Sequence, residues 1–481
     1  MAKDQQYAQP KRRSLIPLNL WDLIIIILFF GLMACIVWGA QQMSGPYQLG
    51  EQIPIRTNPI MLPSYALYTV IRMAIALCFS IFVTFTMGTL AAKSKRAERI
   101  ILPFIDIMQS VPILGFLSIS LLAFIYLFPG SRLGPECAAI LAIFTSQVWN
   151  MVLSFYQSVK TLPKDLKETA AVYHLSGWQK FWRMEVPFAM PSLLWNTMAS
   201  LSAGWFFVVA SEAISVANQH ITLPGIGSYI MLAQEQANYS ALFYVIITML
   251  IVILLYDQLI FRPLLVWSEK FKAEPSEEVE SAGSWFLDLL QRAHISKLIT
   301  DVLYKMRELL ITPKRAPKVH TPWSPKVYTV VSWTAVTFWN TLIGLGLIGS
   351  VYLLVRYIYQ DVTWQEVVHV FYLGFITTVK VTILIILSSL IWVPVGVWIG
   401  LKPKLASFIQ PIVQFIAAFP ANLIYPILFM LILTYNLNVD IWTSPLMILG
   451  TQWYILFNVI AGTLNIPLEL RWAAKNYQVR G

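Results

Sequence analysis

Three ionisable residues lie inside long apolar stretches of this sequence, where a charge is costly. They are Arg72, Glu212 and Lys380. Such residues usually face the interior of a helix bundle or a watery cavity, and the two cations could attract a small anion along a pathway. Alternatively, the long side chains of Arg72 and Lys380 both reach the outer interface of the membrane, or they neutralise Glu212 or Asp106. For Glu212 itself, we favour a hydrogen bond between helices over a contact with a solute.

Other chemistry finds little support in the residue types and their spacing. The three cysteines, Cys35, Cys78 and Cys137, lie in apolar stretches without paired spacing, and the five histidines are scattered. Neither a metal site nor a nucleophile with its base is indicated. The sequence contains no G-x-x-x-x-G-K-[ST] loop. We therefore expect no cofactor in this chain and expect any ATP to be bound by a separate subunit.

The composition places the chain in the membrane class. Of its 481 residues, 57% are hydrophobic and 12% are charged. Soluble proteins carry roughly 25% charged residues, about twice that proportion. The composition therefore excludes an ordinary soluble protein and indicates a polytopic membrane protein.

Helices that span a membrane need about 20 apolar residues each, and the chain offers ten candidates. Their prolines predict kinks or short re-entrant breaks. Lys and Arg gather in alternate loops, which predicts a cytoplasmic N-terminus and accounts for the net charge of +10 without a nucleic-acid partner. The predicted spans are 21–40, 65–92, 100–128, 137–158, 192–216, 241–266, 327–356, 367–401, 406–434 and 446–464.

The sequence repeats itself at a shift of 308 residues, which predicts two homologous helical bundles in tandem, with six plus four spans. The predicted parts are the N-terminus with its first helix and external loop (1–60), a first bundle (61–267), a cytoplasmic linker (268–326), the first helix of the second half (327–366) and an incomplete second bundle (367–481). The second half stops about 90 residues earlier than the repeat implies, so we expect it to be C-terminally truncated. The matching pairs include Thr69 with Thr377, Arg72 with Lys380, Gly88 with Gly396, Pro103 with Pro411 and Pro112 with Pro420.

The linker begins with acidic residues and continues with apolar residues at helical spacing from Ile295 to Leu310. This pattern predicts an amphipathic cytoplasmic helix. A spacer that packs on the bundle or lies at the interface is the simpler interpretation. A regulatory or partner-binding role is the alternative.

The loop 160–191 contains the most informative motif. Glu168, Thr169 and Ala170 form an acidic-small-small triplet, and Pro187 follows at the distance where a new span begins. This pattern resembles the "EAA" coupling loop of type I importer permeases of the ABC class. The motif's glycine falls on His174, with Gly177 three residues later. A glycine or a substitute there would permit a sharp turn, and small residues would let a short helix seat closely in a groove of another protein.

The aromatic residues Trp178, Phe181 and Trp182, together with Pro191, resemble the branch of this class that imports nitrate, sulfonates, taurine and similar anions. In the second half, Ala473 and Ala474 match only the alanines of the motif, while Trp472 replaces the acidic residue and Gly481 aligns with Gly177.

The resemblance implies an all-helical permease, not an enzyme, in a bacterial inner membrane. The partners it implies are cytoplasmic ATPase subunits and a periplasmic or lipoprotein substrate-binding protein, and the solute a small anion carried by alternating access. Two alternatives remain from the sequence alone: a secondary transporter driven by an ion gradient, and a polytopic membrane enzyme.

Overall fold

The computed structural model describes residues 19–47, 53–216, 219–271, 284–293, 362–450 and 452–464, with scattered residues between 302 and 359 and between 466 and 477. Over these ranges the chain is helical apart from one small hairpin. Among the described residues, seven helices are long and apolar enough to cross a membrane, or eight if one bent pair counts as a single span. The predicted helical membrane fold is thereby confirmed.

The first half contains helices α1 to α12 and the hairpin. Two π-helical segments, Phe181–Glu185 and Asp257–Phe261, lie just before Pro187 and Pro263, each of which lacks the N–H that a regular α-helix would use. The helices are α1 Leu20–Met43, α2 Leu62–Lys93, α3 Lys95–Ser110, α4 Ile113–Leu127, α5 Leu133–Lys160, α6 Lys164–Val172, α7 Gly177–Lys180, α8 Val186–Ser211, α9 Ile226–Glu235, α10 Tyr239–Tyr256, α11 Arg262–Ser268 and α12 Trp285–Arg292.

The hairpin pairs β1 (Ala213–Val216) with β2 (Gln219–Thr222) in antiparallel register. The predicted span 192–216 is therefore wrong at its end, because α8 stops at Ser211 and the chain turns into a strand. Residues Ile214 and Val216 are β-branched, a type that favours an extended backbone.

The second half continues with helices α13 to α18. The predicted span 406–434 is divided at Pro420 into two short helices, and the predicted span 327–356 falls largely outside the described residues. The helices are α13 Trp364–Gly400, α14 Pro403–Ala418, α15 Tyr425–Thr434, α16 Val439–Trp442, α17 Ser444–Leu449 and α18 Gln452–Leu464.

Helix bounds recur between the two halves. A shift of 308 residues carries α3 onto α14 residue for residue. Helices α3 and α4 meet at an angle of 90°, next to Pro112, and the equivalent Pro420 follows the end of α14. In one half α2 packs on α5, and in the other α13 packs on α18. The domain boundaries themselves stay a prediction.

The largest core cluster lies in the first half, where α2, α8, α9 and α10 meet. Met73, Trp205 and Tyr229 are almost fully buried there. Phe415 and Phe419 of the second half pack against the same cluster. The two halves therefore share apolar contacts and are not separate bundles.

Candidate coupling loop and buried charge cluster

Helix α6 presents the acidic-small-small triplet at the end of the bundle where α5 finishes and α8 begins. Glu168 and Thr169 are exposed, whereas Ala170 is buried. The Thr169 hydroxyl donates to the backbone oxygen of Asp165 at 2.7 Å and stays within the helix. Ala170 thus faces its own bundle, and the face of α6 open to another protein carries Glu168 and Thr169.

His174 has a left-handed backbone, with φ of 48°. Its N–H donates to the oxygen of Ala171, and the N–H of Leu175 donates to that of Ala170, both at 3.0 Å. These two bonds form a Schellman motif, in which the residue at the left-handed position is usually glycine. The sequence expectation of a sharp turn at this position is met, with a histidine performing it.

Gly177 has ordinary helical geometry and does not form the turn. It is the first residue of α7, capped by the Ser176 side chain, which accepts from the N–H of Gln179 at 3.2 Å. Added to Gly177, a Cβ would meet no atom within 4 Å. Gly177, which lies three residues after the motif's glycine position, is therefore not needed for backbone freedom.

An ion pair between an exposed lysine and a buried glutamate links the end of α2 to the segment before α8. Lys93 Nζ lies 2.8 Å from Glu185 Oε2, and the Glu185 side chain is only 2% exposed. The same ammonium lies 5.9 Å from the ring centroid of Phe181. The segment before α8 is thereby connected to the end of α2.

Several apolar side chains of this loop are exposed. Val172 and Tyr173 are about three quarters exposed, and Trp178 is half exposed. Val172 lies one helical turn after the exposed Glu168, and Tyr173 directly follows it. Exposed apolar surface rimmed by polar groups is typical of a protein interface.

The corresponding segment of the second half is only partly described. Ala473 is helical and half-buried, while Ala474 and Gly481 lie outside the described residues.

Arg72, Glu136 and Glu212 form a buried charge cluster near the opposite end of the first half. Arg72 binds Glu136 through two nitrogens, at 2.6 and 2.7 Å, and Glu212 through the third, at 2.7 Å. Arg72 and Glu212 are fully buried and Glu136 nearly so. The cluster joins α2, α5 and the end of α8. It provides the bond between helices expected for Glu212.

Glu212 also receives hydrogen bonds from the first turn of α9 and from α2. The N–H of Gly227 donates to its Oε2 and the Thr69 hydroxyl to its Oε1, both at 2.7 Å. A Cβ on Gly227 would collide with the backbone oxygen of Val209. This glycine is required because α9 must approach α8 closely enough for its N-terminus to reach the carboxylate.

Glu136 was missed at the sequence level, because it lies one residue before the predicted span 137–158. The available signal was an acidic residue in the first turn of α5, close to an apolar stretch. Asp106, offered as a partner for the embedded cations, is exposed and is not bound to Arg72.

Lys380 is half-exposed on α13, unlike its repeat partner. A symmetric positive ring requires Arg72 to face the solute, yet in this conformation its guanidinium is fully buried and bonded to two carboxylates. The pathway role of the two cations stays a prediction. The observed pairing agrees with the alternative that Arg72 neutralises Glu212.

One face of α8 contacts the second half. The Trp195 ring stacks on Phe457 with centroids 4.7 Å apart. The Tyr454 hydroxyl donates to the backbone oxygen of Ala199, and Asn422 Nδ2 to that of Phe206, both at 3.1 Å. The helix that follows the loop 160–191 is therefore also the helix that contacts the other half.

These features define a multi-pass membrane protein with two helical halves that contact each other. Residues 84–261 match the family described as the binding-protein-dependent transport system inner membrane component. That segment runs from α2 to the second π-helical segment and includes the whole loop. Residues 84–261 are therefore similar to the inner membrane components of binding-protein-dependent transport systems.

Similar proteins include permeases for chemically different solutes. The nitrate import permease protein NrtB of Synechocystis is 26% identical over 39% of this chain and 64% of that protein. The bicarbonate transport system permease protein CmpB of Synechococcus elongatus is 22% identical over 39% of this chain and 63% of that protein. The glycine betaine/proline betaine permease protein ProW of Salmonella typhimurium is 27% identical over 34% of this chain and 44% of that protein. The chain thus spans less than two thirds of the length of these relatives.

Proposed function

We propose that this chain forms the membrane pathway of an ATP-driven importer for a small solute. The observation that carries the proposal is the loop 160–191. Its helix α6 exposes Glu168, Thr169 and apolar side chains, and it ends in a Schellman turn. The loop lies within the segment that matches the permease family. We assign it the role of binding a cytoplasmic ATPase subunit, and call it the coupling loop from here on.

The mechanism we propose is alternating access. Closure of the ATPase subunits displaces the coupling loop, and α8 carries that displacement to its contact with the second half, where Trp195 meets Phe457. Nucleotide binding to the ATPase subunits then shifts the equilibrium between two conformations of the permease. A substrate-binding protein binds at the opposite end of the bundle.

A photo-cross-linking amino acid in place of Tyr173 tests the docking site. We expect it to cross-link, in membranes, to a polypeptide that contains a G-x-x-x-x-G-K-[ST] loop. The matched control is Tyr126, which is 84% exposed but lies on α4, near the opposite end of the bundle. Equal labelling from both positions, or none from Tyr173, would contradict the proposed docking site.

We further propose that the solute is a small anion. Support comes from the aromatic and proline residues after the triplet and from the relatives named as nitrate and bicarbonate permeases. Uptake of labelled nitrate, bicarbonate and glycine betaine into right-side-out vesicles distinguishes an anion from a betaine as the solute. Uptake of betaine alone would contradict the proposal that the solute is an anion. Uptake that follows an ion gradient without ATP would contradict the proposal that the protein is part of an ATP-driven importer.

A further inference from the structure

A cavity of about 290 Å³ lies inside the first half, at the end of the bundle opposite the coupling loop. It is open on one side and is lined by the end of α1, the segment before α2, the first turns of α2, the start of α5 and Pro224 before α9. The α8 face that contacts the second half does not line it. The cavity is therefore separate from the pathway proposed between the halves.

Arg132 lines this cavity and is held there by its backbone. Its N–H donates to the oxygen of Gly45 at 3.0 Å, and the N–H of Tyr47 donates to the oxygen of Gly130 at 3.1 Å. The guanidinium lies against Gly45, where an added Cβ would come within 3.5 Å of Cζ. Two short segments thus fix the position of the side chain beside the cavity.

The guanidinium of Arg132 has unused donor capacity. Its Nε is buried and has no acceptor in the described part of the chain, and Arg132 takes part in none of the ion pairs found there. Buried donors are nearly always satisfied in native proteins, so an unsatisfied one indicates an absent partner. A negatively charged acceptor would form the strongest hydrogen bond with this nitrogen.

The second guanidinium on the cavity wall does not compete for such a partner. Arg72 has its three guanidinium nitrogens bonded to Glu136 and Glu212, and its side chain is fully buried. Glu136 in turn is held in a two-bond contact by Arg72. Arg132 is therefore the guanidinium on the cavity wall that has a donor without an acceptor in the described residues.

The remaining wall is aromatic and weakly polar. Trp38 stacks on Tyr68 with ring centroids 5.7 Å apart, and Tyr65 and Ser64 complete the side formed by α2. Tryptophan and tyrosine near the end of a span are typical of the level of lipid head groups. Helix α1 is barely buried and stands between the cavity and the lipid.

We propose that this cavity binds an oxyanion at Arg132, supplied either by the phosphodiester of a membrane phospholipid or by a free oxyanion such as inorganic phosphate. A planar guanidinium binds such oxygens through paired hydrogen bonds. The bound group ties α1 to α2 and α5 through the Gly45 to Arg132 contact.

Native mass spectrometry of the full chain, stripped of lipid and re-exposed to phosphatidylglycerol, tests the proposal. We expect Arg132→Gln to lower retention about tenfold relative to the unchanged chain, because the charge-assisted bonds are lost. The matched control is Arg56→Gln, since Arg56 is exposed near the same end of the bundle and does not line the cavity. Diacylglycerol, which lacks the phosphodiester, should not be retained selectively by either form.

A second variant, Ser64→Met, fills the cavity from α2 without altering any charge and should lower retention as well. Competition by inorganic phosphate would identify a site open to free oxyanions, and retention of the lipid despite phosphate would identify the lipid as the source. Retention by both Arg132→Gln and Ser64→Met at the level of the unchanged chain, with no effect of phosphate, would overturn the proposal.

Discussion

At the scale of single residues, His174 shows what the coupling loop requires of its backbone. A left-handed conformation costs a non-glycine residue about 1 to 2 kcal/mol, and more when the side chain is β-branched. Glycine adopts this conformation without strain, but it loses more backbone entropy on folding, which costs about 0.5 to 1 kcal/mol. The backbone at His174 is therefore modestly strained.

We predict that His174→Gly stabilises the end of α6 and that His174→Val destabilises it by about 1 kcal/mol, because valine is poorly suited to positive φ. Hydrogen exchange of the α6 amides measures this local opening. Gly177→Ala is the control, since an added Cβ meets nothing there and the exchange of α6 should not change. Equal protection in the glycine and valine variants would show that the turn is not left-handed.

The buried charge cluster gives a second prediction at this scale. Arg72→Met leaves Glu136 and Glu212 buried without their cation and should cost about 3 to 5 kcal/mol. The repeat partner supplies the control: Lys380→Met changes a half-exposed side chain and should cost less than about 1 kcal/mol. The yield and unfolding temperature of the purified protein measure both. Similar losses in the two variants would mean that the two cations have equivalent surroundings.

At the scale of elements, two glycines let equivalent helix pairs approach closely. A Cβ on Gly88 of α2 would lie 2.8 Å from a ring carbon of Phe155 on α5. A Cβ on Gly396 of α13 would lie 2.8 Å from a methyl carbon of Val459 on α18. The match at a shift of 308 residues makes this contact a property of the repeat unit.

We predict that Gly88→Ala and Gly396→Ala each destabilise their half by about 1 to 3 kcal/mol through overpacking. Gly31→Ala in α1 is the matched control, because no atom lies within 4 Å of the added Cβ. That change should be neutral or stabilising by up to about 1 kcal/mol, since alanine favours the helix. Thermal unfolding in detergent compares the three variants, and a stabilising effect of Gly88→Ala would contradict the close approach of α2 and α5.

Sequence patterns predicted these elements with uneven success, for physical reasons. Long apolar helices such as α2, α5 and α13 were predicted well, since hydropathy alone specifies them. The strands after Ser211 were missed because a short hairpin at the end of a span carries little signal of its own. Glu136 was missed because its role depends on the packing of α2 against α5, which spacing along the chain cannot reveal.

At the scale of the whole molecule, α8 links the proposed site of ATPase binding to the contact between the halves. Its first turn follows the segment fixed by Glu185 and Lys93, and its middle carries Trp195 and Ala199 against the second half. Its end carries Glu212 into the buried charge cluster. A helix packed along its whole length moves as a rigid element, so displacement at one end reaches the other.

Alternating access requires the contact between α8 and α18 to open and close. We therefore predict that joining them with a short cleavable thiol reagent, in a Trp195→Cys, Phe457→Cys variant that lacks the three native cysteines, abolishes solute uptake and that cleavage restores it. The control pair Phe104→Cys, Trp149→Cys joins α3 to α5 inside one half, where the rings are 5.8 Å apart, and should leave uptake largely intact. Because both pairs replace two aromatic residues, each variant is compared with itself before joining and after cleavage. Uptake that continues while α8 and α18 are joined would show that the halves do not separate at this contact, and the solute would then have to pass elsewhere.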